Sequence, residues 1–172
     1  GNYWIGVILD ISDYDTGNND SDGQDASPIH VILSNPDLTV TSVNAPTSAK
    51  PGDYIAVSWT VKNQDQAPSD SFYNHISLAT TPYGTDISLG NYLMNSIASG
   101  SSSSDAQVPK IPETVSPGYY YVTVLADTFD SVAESDEGNN INKAPSQIHI
   151  EPCTGTISVT SDPSGASFSL NG

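Results

Sequence analysis

The sequence predicts an all-β protein, an immunoglobulin-like β-sandwich flanked by partial β modules. Three observations carry this. Ser, Thr, Asn, Asp, Gly and Pro dominate, with Val and Ile as the main core formers, and helix formers never accumulate in one window. Between Pro36 and Ile150, short alternating runs follow one another at the spacing of sandwich strands, separated by turn residues. Finally, the opening stretch GNYWIGVILD returns as GYYYVTVLAD from Gly118 to Asp127, so part of the chain is repeated.

Taken in order, Leu38 to Asn44 (LTVTSVN) alternates and reads as a strand. PTSAKPGD is a turn-rich connection. Tyr54 to Asn63 (YIAVSWTVKN) alternates cleanly and puts Ile55, Val57, Trp59 and Val61 on one face. SFYNHISLAT is a third strand, TPYGTD a turn, and ISLGNYLM a fourth, weaker strand. SGSSSSDAQV leads into a fifth. PKIPETVSPG is too rich in proline for a helix. YYYVTVLAD is the sixth strand and SQIHI the last. Tyr120 opens the penultimate strand, where such sandwiches place a tyrosine whose hydroxyl bonds back to nearby backbone; a plain core aromatic is the competing reading. Ile55, Val57, Trp59, Val61, Tyr120, Val122 and Val124 are expected to share one core.

The repeat sets the expected organisation. Gly1, Tyr3, Ile5, Val7 and Asp10 match Gly118, Tyr120, Val122, Val124 and Asp127, and both copies continue to an Asn pair and a short strand. The expected divisions are residues 1–35, the closing strands of a preceding repeat; 36–151, a complete sandwich; and 152–172, the first strands of another module. The last of these reads as strand, turn and strand, and stops at the hairpin signal Asn171-Gly172. The opening strand therefore calls for partners, either in chain beyond this sequence or in a neighbouring copy completed by strand addition.

Charge narrows the function. Twenty acidic residues stand against four basic ones, a net charge of −16, so the basic patch that nucleic acid requires is lacking. The Lys/Arg clusters that bind anionic membranes are lacking too, and no apolar run is long enough to insert directly into a bilayer. Cys153 is a single cysteine without an intrachain partner.

The motif Pro36-Asp37-Leu38, the turn Pro51-Gly52, the strand Ser58-Trp59-Thr60-Val61-Lys62-Asn63, and then Ala126-Asp127, Glu134 with Glu137, and Asn139-Asn140 together resemble the CARDB family, cell-adhesion-related domains of archaeal and bacterial surface proteins. The likeness spans about two thirds of the chain. The front copy resembles the end of the same domain, with Asp13 and Thr16 where the two glutamates would fall. GTISVTSDPSGASFSLNG resembles the opening of a PEGA domain, another small β module of surface proteins. The resemblance implies an immunoglobulin-like sandwich in exported multidomain proteins, and no catalytic activity.

Several residue groups remain as candidate sites. Asp127, Asp130, Glu134, Asp136 and Asn139 cluster oxygen donors of the kind that hold calcium; a solvated acidic turn is the competing reading. Asn18, Asp20, Asp22 and Gly23 resemble half of an EF-hand loop, but Ile29 stands where its closing glutamate belongs. Asn19 opens an Asn-Asp-Ser sequon for glycosylation. Trp4, Tyr83, Tyr92 and Tyr119 are aromatics able to stack on carbohydrate. His30 and His149 face outward by alternation, and the three histidines, His75 included, lack zinc-site spacing. No nucleophile elbow or facing carboxylate pair appears, so the chain is read as non-enzymatic and without a cofactor. The expected role is an extracellular, cell-surface structural or adhesion module of a repeat protein. Its partners would be neighbouring copies or domains, pairing strands into a filament, with a carbohydrate- or partner-binding module as the alternative.

Overall fold

The computed structural model describes residues 35–152. The N-terminal repeat copy, with Trp4, Asn19 and His30, and the segment 153–172 lie outside the described residues.

Alternation dictates the strands. β1 (Leu38–Asn44), β3 (Val57–Asn63) and β5 (Ile87–Met94) bury mainly one side, while β4 (Phe72–Ala79) and β7 (Gly118–Leu125) also bury Ser77, Ala79 and Thr123 on the other. β6 (Ser102–Gln107) is polar except for Ala106, and β2 (Ser48–Ala49), β8 (Ile141–Lys143) and β9 (Ile148–Ile150) are short. One sheet has the order β1-β3-β6; the other has β2-β9-β7-β4-β5, with β8 also on β7. Every ladder is antiparallel except the parallel pair β2–β9. No helix among the described residues is long and apolar enough to cross a membrane.

The strand expectations hold closely for β1 and β5, whose bounds match. β3 is shorter than expected: Tyr54 makes only an isolated bridge to Lys110, and the ladder starts at Val57. Two strands, β2 and β8, were not foreseen, whereas β9 falls within the predicted SQIHI. β2 lies inside the stretch read as a turn, because two residues are too few to show a period. β8 and β9 both pair with the same side of β7 and flank Pro145, which lacks the N–H a continuous ladder needs. The Pro51-Gly52 turn is as expected: Gly52 has φ +87°, a conformation that a side chain disfavours.

The core lies between the sheets. Ile55, Val57, Trp59, Val61, Tyr120, Val122 and Val124 are all buried in it, as alternation predicts, joined by Leu38, Phe72, Ile76, Leu78, Ile111 and Ile148. Tyr120 donates its hydroxyl hydrogen bond to the carbonyl of Ser116 at 3.0 Å, which makes it a tyrosine corner. Tyr92 departs from expectation. Its ring turns inward, 6.2 Å from that of Trp59, and its hydroxyl reaches the Leu89 carbonyl, so it is not a free surface aromatic.

Candidate functional site

The densest polar construction among the long-range contacts is at the pole where the chain enters the sandwich. β7 ends there, and the loop 126–140 leads from it to β8. Ala126-Asp127 starts the loop in a strained way: Asp127 and Asp130 have φ +45° and +53°. Asp127 is buried and directs its carboxylate back into its own loop. One oxygen accepts from the Ser131 amide at 3.1 Å and hydroxyl at 2.7 Å, and the other from the Val132 amide at 2.7 Å. These bonds offset the backbone strain by satisfying donors that the tight turn turns inward.

The middle of the loop grips β1. Glu134 is buried; one carboxylate oxygen accepts from the Leu38 amide and the other from Asn140 Nδ2 at 2.7 Å. The Ser135 amide donates to the Pro36 carbonyl at 2.9 Å, and Asn139 Nδ2 donates to Asp37 at 2.9 Å. From the other side, fully buried Asn63 at the end of β3 donates to the Ala67 and Ile97 carbonyls at 2.7 and 3.1 Å, while its oxygen accepts from the amides of Asp37 and Asp65. Gln64 adds two bonds to Asp37. Pro36, Asp37 and Leu38 are thus held on two sides before the first strand begins.

Burial raises the pKa of Glu134 to about 7. The Leu38 amide and Asn140 pull it down, and the carboxylates of Glu137 and Asp127 push it up. Asn140 Oδ1, on the side chain that bonds Glu134, and Asn139 Oδ1 are buried with no partner among the described residues.

Of the five residues read as calcium ligands, Asp127, Glu134 and Asn139 belong to this clamp. Asp130 and Asp136 are exposed, and Asp136 accepts only from the Gly138 amide. Among the described residues no three His, Cys, Asp or Glu side chains come together in a way that could hold a metal ion. Sequence reasoning named Asn63 as the close of the Ser58–Asn63 motif but gave it no role. Its signal was present: it continues the inward register of Val57, Trp59 and Val61 and is polar.

The other faces are plain. A shallow depression of about 500 Å³ on the outer side of the three-stranded sheet is lined by Ser42, Asn44, Ser58, Thr60, Ser104 and Ala106, and the one ring near it, Trp59, is 1% exposed. His75 bonds Asn91 at 2.6 Å, and His149 stacks on exposed Tyr119 with ring centroids 4.6 Å apart. Both imidazoles lie at outward positions, as expected for His149.

This arrangement, with its Pro-Asp-Leu start and its Glu and Asn-Asn loop gripping that start, can be set beside known proteins. The sequence profile of the CARDB family matches residues 35–144. The chain belongs to the CARDB family. Among solved structures, the CARDB domain of PF1109 from Pyrococcus furiosus, in complex with di-metal ions, is 19% identical, with TM-score 0.51 over 70% of this chain and 97% of that one. A solution structure of the same Pyrococcus domain gives the same identity and TM-score over 69% and 97%. A domain of a Methanosarcina acetivorans protein provisionally described as a cell surface protein is 22% identical, with TM-score 0.50 over 67% and 92%. At these identities the likeness shows a shared CARDB sandwich fold. No curated protein matches.

Proposed function

We propose that this CARDB chain is an extracellular, non-catalytic structural module of a multidomain cell-surface protein, a rigid spacer through which neighbouring domains are strung in line. The observation that carries the reading is the placement of the chain ends. Glu134, on the loop that follows the last residue of β7, grips Leu38 where the chain enters. Ile150, two residues before the described segment ends, pairs with Gly118, the first residue of β7. The chain therefore enters at one end of an eight-residue strand and leaves at the other, roughly 25 Å away. Such a module transmits position along a chain, as linked sandwiches do.

The flanking segments fit this reading as the end of a preceding CARDB repeat and the start of a PEGA-like module. Assembly into a filament by strand pairing is supported by the difference between two edges. The free edge of β1 is covered, with Asn142 Nδ2 donating to the Val40 carbonyl at 2.7 Å. Among the described residues β6 pairs only with β3, so its other edge is available there to a strand from a neighbouring copy. In this reading the acidic loop is a clamp and takes no cofactor. The test is electron microscopy of the purified surface protein, with antibody labelling of intact cells. Beads in line and labelled cells support the proposal; clustered domains or unlabelled intact cells sink it. Exposed Tyr119, stacked on His149, favours carbohydrate binding as the second reading. Calorimetric titration with surface oligosaccharides, and its loss in Tyr119→Ala, would establish that one.

A further inference from the structure

The loop that clamps the incoming chain also presents an apolar surface that the sandwich does not use. Phe129 lies between the two residues with positive φ, Asp127 and Asp130, and is 60% exposed. Its ring stands edge-on to that of Tyr73, 5.5 Å away at 65°, and the Thr128 amide donates to the Tyr73 carbonyl at 2.9 Å. Tyr73 pairs in register with Leu93, so the two share the outer face of the β4–β5 ladder, 40% and 54% exposed. A phenylalanine held outward by a strained turn, against an exposed tyrosine beside an exposed leucine, is a built feature and not scatter of single surface residues.

We propose that Phe129, Tyr73 and Leu93 form the seat of residues 26–34, the stretch ASPIHVILS that leads into the sandwich. The inference rests on the in-line reading above and names the contact that makes the junction stiff. Three observations select this occupant. One loop does both jobs: Glu134, Ser135 and Asn139 fix Pro36 to Leu38, while Phe129 projects from the same loop, so the emerging chain is fixed relative to the patch. The seven steps from Ile29 to Pro36 span up to roughly 25 Å when extended, about the length of the eight-residue β7. Charge also discriminates. The loop that carries Phe129 also carries the exposed acidic residues Asp130, Asp136 and Glu137. Residues 26–34 carry no acid and offer Ile29, Val31, Ile32 and Leu33, whereas Asp10, Asp13, Asp15, Asp20, Asp22 and Asp25 crowd the stretch before them. A second copy of this chain, with a net charge of −16, would meet that repulsion in full.

The test is amide hydrogen exchange on the 172-residue chain, read by peptide, for wild type, Phe129→Asp and Leu93→Ser. Leu93 lies on an edge strand, away from the strained turn, so its variant separates loss of the contact from collapse of the loop. Both variants are expected to speed exchange in 26–34 on the order of tenfold while β3, β4 and β7 keep their protection. Ile32→Asp is expected to reproduce the effect from the other side. Unprotected amides in 26–34 of the wild type, or unchanged exchange in both variants, overturn the proposal. So does a concentration-dependent self-association, or a saccharide titration, that Phe129→Asp abolishes, because the patch then belongs to another occupant. None of these outcomes moves the in-line reading, which stands on strand registers and fails separately if the particles are not strung end to end.

Discussion

The interior between the sheets and the clamp at the N-terminal pole are both buried, yet they are built in opposite ways. The interior is made of Val57, Trp59, Val61, Val122 and Val124, apolar side chains held by dispersion and the hydrophobic effect, which tolerate small shifts. The clamp is made of Asn63, Asp127, Glu134 and Asn140, each oriented by specific donors and acceptors. What differs is tolerance. Removing a core methyl leaves a cavity in proportion to its size, while removing one clamp partner strands every group it served. The interior therefore supplies stability, and the clamp supplies the fixed position of the incoming chain.

The largest expected effect tests the interior side of this comparison. Trp59→Ala should cost roughly 3 to 5 kcal/mol in a denaturant titration, as for other fully buried large aromatics. A loss under about 1 kcal/mol would break the comparison at its apolar end. Asn63→Ala comes next. It strands the carbonyls of Ala67 and Ile97 and the amides of Asp37 and Asp65. The expected loss is about 2 to 4 kcal/mol, with faster exchange concentrated in residues 35–40 and 64–70. A uniform loss of protection would mean that Asn63 behaves as an ordinary core residue.

Tyr120→Phe probes the border, since the ring packs in the core and the hydroxyl bonds the Ser116 carbonyl. About 1 kcal/mol is expected, measured as a shift in the denaturation midpoint. An unchanged midpoint would make the corner dispensable.

The subtlest effect concerns Glu134. Its pKa rises on folding from 4.5 to about 7, so between those values the folded state binds more protons than the unfolded one. Stability should therefore fall as pH rises from about 4.5 to 7, and the contribution should level off above 7. Other carboxylates add slopes of their own, so the readout is the difference between wild type and Glu134→Gln across that range. Gln keeps an acceptor for the Leu38 amide, and its N–H pairs with Asn140 once the Asn140 amide turns over to present Oδ1 in place of Nδ2. The variant should lose this part of the pH slope and match or exceed wild-type stability at pH 7.5. A difference profile that stays flat would show that the Glu134 carboxyl titrates as if exposed. Calcium and chelator should leave the melting midpoint of the clamp nearly unchanged; a shift of many degrees would show that a bound ion stabilises the loop.

The sequence by itself determined the sandwich. The period of two in LTVTSVN, VSWTVKN and YYYVTVL places apolar residues on one side of each strand, and that local rule carries its own answer. The CARDB motifs were legible for the same reason, as short stretches of fixed spacing. Tertiary structure alone decided what the motif residues do. The acidic loop read equally as an ion seat or a solvated turn, because composition does not say where a carboxylate points. Glu134 meets Leu38 across 96 residues and Asn139 meets Asp37 across 102. Tyr92 turned inward because Trp59 on the facing sheet offers it a ring, and β2 exists because β9 comes alongside. Such pairings depend on two distant segments arriving together, and no local window of the sequence encodes which segments meet.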